Sequence, residues 1–106
     1  MTNEDEKRIA DYMGWYWSKD DGIYFYDWDG QRPRYLNLND AGLVVKEMVK
    51  RGGDYWHFWL VVEDLFRMDE EEAYVNCNET EASAISRWLF NADNFFKAFV
   101  EWRKGK

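Results

Sequence analysis

Apolar residues recur at helical spacing in three parts of the chain. Near the start, Ile9, Tyr12 and Met13 fall on one helical face, behind acids in the first turn (Glu4, Asp5, Glu6). Thr2 or Asn3 serves as the cap and Gly14 as the stop. The clearest periodicity is Ala41, Val44, Val45, Met48 and Val49, a run at i, i+3, i+4, i+7 and i+8. It predicts a helix capped by Asn39 or Asp40 and ended by Gly52-Gly53. Asn78-Glu79-Thr80-Glu81 has the pattern of a capping box. Behind it a stripe of Ala82, Ile85, Trp88, Leu89, Ala92, Phe95, Phe96, Phe99 and Trp102 predicts a long final helix, either continuous or split in two near Asn91 by the cap-type residues Asn91, Asp93 and Asn94.

Elsewhere the pattern is extended. Trp15 to Trp17 and Ile23 to Trp28 are aromatic and β-branched runs separated by Ser18-Lys19-Asp20-Asp21-Gly22, the chemistry of a hairpin turn. Asp29-Gly30 supplies a second turn. Arg34-Tyr35-Leu36 is a weak third strand, which Pro33 marks as an edge or a loop by removing a donor. Tyr55 to Val62 is apolar on both alternating faces and predicts a strand covered on both sides. A polar stretch, Glu63 to Glu72, and a short β-like segment, Ala73 to Cys77, follow. The expected fold is α+β in the order α-β-β-α-β-β-α. A small, mostly antiparallel sheet packs against about three helices in a single compact domain over residues 1–106.

Composition narrows the function. The 106 residues hold 21 acidic and 14 basic side chains, a net charge of −7, which argues against direct nucleic-acid binding. The longest apolar run, eight residues from Tyr55, is far short of the roughly 20 of a membrane span, so no membrane partner is expected. One cysteine, Cys77, and an opening Thr2 to Arg8 without an apolar leader point to a reducing cytosol. Seven Trp, seven Tyr and seven Phe make up 20% of the chain, yet a chain of this size can bury them all on folding, so their abundance alone marks no binding site.

Three short motifs are then informative together. Ile9-Ala10-Asp11-Tyr12-Met13-Gly14-Trp15, Leu43-Val44-Val45-Lys46-Glu47-Met48 and Phe99-Val100-Glu101-Trp102 stand in order along the chain. In this the protein resembles small phage and prophage proteins of gut bacteria of the phage ABA sandwich domain family. That resemblance implies a small sheet against helices and a mobile-element origin, and it transfers no catalytic residue. The acidic stretch Glu63 to Glu72 departs from the family pattern.

The first candidate site is the aromatic hairpin, with Trp15, Trp17, Tyr24, Tyr26 and Trp28 as binding residues. If helices cover one face of the sheet, the alternate set Tyr24, Tyr26 and Trp28 stands on the other as interface anchors. The second is the acidic stretch Asp69, Glu70, Glu71 and Glu72, within a segment (53–81) of nine acids and one base. Such a cluster either faces a basic partner or is a solvated loop. His57, the one histidine, has no second ligand at metal spacing and is expected in the core, as is Cys77. Asp27-Trp28-Asp29-Gly30 lacks the later ligands of a calcium loop and is expected as a hairpin turn.

No phosphate-binding loop, nucleophile elbow or paired-histidine metal motif occurs. The expectation is a non-enzymatic binding protein with no cofactor, one that occludes a bacterial host protein offering a basic or aromatic-accepting surface, as an inhibitor of defence would. Two alternatives belong to other classes: sequestration of a small molecule or nucleotide between aromatics, and self-association into a homo-oligomer.

Overall fold

The structure, a computed structural model, describes residues 1–69 and 80–105, and of Asp69, Glu81 and Ala82 only the backbone. It is α+β. Among the described residues it has five helices and one three-stranded antiparallel sheet, in the order α1 (Asn3–Met13), β1 (Tyr16–Ser18), β2 (Gly22–Asp27), β3 (Gly30–Pro33), α2 (Leu38–Lys50), α3 (Asp54–Asp69), α4 (Glu81–Leu89) and α5 (Ala92–Lys104). They fall into two compact units, residues 1–37 and 38–106.

The first unit is one helix on one small sheet. Thr2 closes a capping box with Asp5, satisfying backbone donors at the start of α1. At the other end Gly14 takes φ +70°, and Trp15 N–H donates back to the Ala10 carbonyl at 2.9 Å. This is the left-handed stop a glycine permits. The chain then runs directly into β1. Strand β2 pairs with both neighbours, with Tyr16 opposite Tyr24 and Trp17 opposite Ile23 on one side, and Tyr24 opposite Pro33 and Tyr26 opposite Gln31 on the other. Helix α1 packs on β1 and β2, burying Ile9, Ala10 and Tyr12 with Ile23. The third strand is Gly30–Pro33, earlier than the expected Arg34 to Leu36. The β2–β3 loop is only Trp28-Asp29, with the positive φ at Gly30, so pairing resumes at once.

The second unit is entirely helical among its described residues. Tyr55 to Val62 is not a strand but part of the sixteen-residue helix α3, which also takes in most of the stretch expected to be a polar loop. Phe58, Val62 and Phe66, at i, i+4 and i+8, are fully buried, while Trp56 is 65% exposed. A short apolar run does not distinguish strand from helix by periodicity, and here the buried stripe extends past its end through Phe66. The core is aromatic: Phe58 meets Phe95 at 5.2 Å and Trp102 at 6.1 Å between ring centroids, and Phe66 meets Trp88 at 6.1 Å. The last two pairs meet edge-on, an arrangement worth about 0.5–1.5 kcal/mol each beyond the area they bury. The final helical stripe is divided at Asn91, one of the two alternatives the sequence leaves open. Asn91 has extended backbone, and its side chain accepts from Asn94 N–H as the cap of α5.

With five helices in place of about three, and one three-stranded sheet in place of four or five strands, among the described residues, the element order differs from the expected one while the class does not. The segment Ala73 to Cys77 lies outside the described residues. His57, expected in the core, is exposed on α3.

Candidate binding face

Alternation along β2 and its pairing decide which aromatics share a surface. Side chains two apart on a strand, and directly opposite across a pair, point the same way. Tyr24 and Tyr26 therefore share a face with Tyr16, Gln31 and Pro33, while Trp17, Ile23 and Phe25 point to the other side. Helix α1 covers that second side, where Lys7 Nζ stands 5.9 Å from the Trp17 ring. Here too the Arg34 guanidinium stacks 4.1 Å over the Trp15 ring and 5.4 Å from Phe25.

On the uncovered side the three tyrosines form one cluster. Tyr16 and Tyr24 are stacked at 5.5 Å with 15° between planes, and Tyr26 meets them edge-on at 5.3 and 5.7 Å. Tyr16 is 56% and Tyr26 57% exposed, and Tyr24 is half-buried between them. Loss of solvent around Tyr24, then the neighbouring Tyr26 phenol and the Asp21 carboxylate, raise its pKa above the ordinary tyrosine value. At the tip of the hairpin, Trp28 is 93% exposed. Its turn is fixed beneath it: Asp27 accepts from Asp29 N–H at 2.8 Å, and Arg32 pairs with both Asp27 and Asp29.

Beside Tyr24 lies an open depression of about 260 Å³, lined by Asp21, Tyr24, Gln31 and Pro33. Asp21 shapes it. Its carboxylate accepts from Ser18 Oγ and from Gln31 Nε2, both at 3.1 Å, tying the first hairpin turn to β3.

Of the residues singled out in the sequence, Tyr24, Tyr26 and Trp28 stand together on this face and its rim. Trp15 and Trp17 do not: both are half-buried on the opposite side, against Arg34 and Lys7. Tyr16 was the residue missed. Its signal is the hairpin register, since a turn over Ser18 to Gly22 sets residue 16 opposite residue 24. Asp69 closes α3 without a described side chain, and Glu70, Glu71 and Glu72 lie outside the described residues. Among the described residues no cluster of histidine, cysteine and carboxylate side chains is arranged to hold a metal ion, and no helix is long and apolar enough to cross a membrane.

Comparison with protein-family models, with curated proteins and with solved structures finds no match to this chain. The tyrosine face is thus the feature on which a functional reading rests.

Proposed function

We propose that this is a non-enzymatic binding protein that docks a partner protein on the tyrosine face of its three-stranded sheet, with Trp28 reaching beyond the rim. The observation that carries the reading is the exposed Tyr16–Tyr24–Tyr26 cluster. Large amphipathic rings already held by one another lose little rotamer freedom on binding, and tyrosine and tryptophan dominate interface hot spots. The resemblance to phage ABA sandwich proteins points to a bacterial host protein as the partner, blocked by occlusion, and to the host cytoplasm as the place. Sequestration of a small molecule is less well supported, because the depression beside Tyr24 is smaller than the roughly 300–1,000 Å³ of most ligand sites and open to solvent.

The test is affinity capture from nuclease-treated bacterial lysate by the intact protein and by Tyr26→Ala and Trp28→Ala variants with unchanged unfolding midpoints. A dominant protein held by the parent chain and lost by both variants supports docking here. One retained by both places docking elsewhere, and capture of only the chain itself favours self-association.

A further inference from the structure

At the edge of the tyrosine face stands the Asp21 carboxylate, and no described basic side chain pairs with it. Asp21 Oδ2 takes both hydrogen bonds that fix the side chain, whereas Oδ1 accepts from no described residue and Asp21 forms no ion pair among them. Four of the five basic side chains of the same unit are engaged elsewhere, Arg8 with Glu4 and Asp5, Arg32 with Asp27 and Asp29, Arg34 on Trp15 and Lys7 over Trp17, and the exposed Lys19 forms no ion pair with Asp21. Residues 1–37 carry eight acids against five bases, so the surplus here is negative.

The depression thus offers a carboxylate, the ring of Tyr24, the amide of Gln31 and the ring of Pro33. An anion is repelled by Asp21, and an apolar group would strip water from the carboxylate without replacing it. A planar cation satisfies every wall: it pairs with Oδ1, stacks on the phenol ring and lies against the proline. The sheet already performs this chemistry on its other side, where the Arg34 guanidinium rests on Trp15 and Phe25. We infer that the depression of Asp21, Tyr24, Gln31 and Pro33 receives an arginine side chain of the docked protein. Guanidinium suits it better than ammonium because it stacks and hydrogen-bonds in one plane. The inference rests on the docking reading above and gives the partner a chemistry.

The probe is Nα-acetyl-L-arginine amide, titrated against the whole protein while the Tyr24 ring and Gln31 side-chain amide resonances are followed by NMR. Nα-acetyl-L-citrulline amide, of the same shape without the charge, is the control. The expected result is a saturable shift at Tyr24 and Gln31 with arginine, weakened about fivefold or more with citrulline and in Asp21→Asn. The asparagine oxygen can still accept from Ser18 and Gln31, and unchanged amide resonances elsewhere verify the fold. Equal shifts with arginine and citrulline, shifts confined to other residues, or none at all would overturn the arginine site. If the probe fails yet Tyr26→Ala loses the captured protein, docking stands and only its arginine is lost. If capture survives Tyr26→Ala, the docking reading fails whatever the probe does.

Discussion

Asn94 Nδ2 donates to the Trp88 carbonyl at 2.9 Å, joining the first turn of α5 to the last turn of α4. The same residue's backbone N–H donates to the Asn91 side chain, so one asparagine holds both sides of the helix break. A carbonyl near a helix end has no intrahelical donor, and this amide supplies one. Asn94→Ala is expected to lower the stability of the helical unit by about 1 kcal/mol, and Asn91→Ala by a similar ~1 kcal/mol. Because both act on one break, the double variant should lose less than the sum, as measured by denaturant unfolding.

Helix α3 makes a sharper prediction. In a strand, Trp56 and Phe58 would share a face and matter alike. In the helix Phe58 is fully buried against Phe95 and Trp102, while Trp56 is mostly exposed. Phe58→Ala should cost about 3–5 kcal/mol and Trp56→Ala less than about 1 kcal/mol. Comparable losses would return the segment to a strand.

What the sequence made legible depended on whether the signal was local. Capping at Thr2, the stop at Gly14 and the buried Ala41, Val44 and Met48 of α2 each rest on neighbours within a turn, and each stands in the structure, whereas Val49 at the end of the expected α2 stripe is 61% exposed. The identity of α3 rested on Phe66, which sits among charged residues beyond the end of the aromatic run. The binding face was half visible: alternation selects Tyr24, Tyr26 and Trp28, but Tyr16 in preference to Trp15 and Trp17 follows only from register. Asp21 joins the site through a hydrogen bond to Gln31, ten residues away and two strands across the sheet. Spacing along the chain carries no trace of such a contact.

Gly14 isolates a backbone effect. It has φ +70°, and a Cβ there would meet no atom within 4 Å. Gly14→Ala should therefore cost about 1 kcal/mol through left-handed strain alone. Thermal unfolding monitored on the sheet unit would register it as a lower midpoint, with native contacts otherwise intact.

Tyr24 gives a pH dependence. Its phenol is raised above the ordinary tyrosine value of about 10, so folding favours the neutral form. Stability from this group is fully present below the unfolded value and is lost as pH rises through the folded one. A titration of tyrosinate absorbance should show one phenol ionising late, and Tyr24→Phe should abolish that late step. Persistence of the step in the variant would assign it to another tyrosine.

Trp28 separates binding from folding most cleanly. At 93% exposure it contributes little to the core, so Trp28→Ala should change the unfolding midpoint by no more than the equivalent of about 0.5 kcal/mol. Partner capture should nevertheless fall at least about tenfold, the range of an interface anchor. Retained capture by a folded variant would remove Trp28 from the interface.

Pro33 closes the outer strand of the sheet, and the strand at the other margin, Tyr16–Ser18, is three residues long. A chain approaching β3 meets a position without an N–H, and one approaching β1 finds too short a ladder to extend. The sheet is thus poorly suited to recruiting a partner, or a second copy of itself, by adding a strand. In the docking proposed above, recognition therefore rests on the tyrosine rings and the Asp21 carboxylate rather than on the backbone, which makes it selective for side-chain chemistry and indifferent to whether the partner surface is strand, helix or loop.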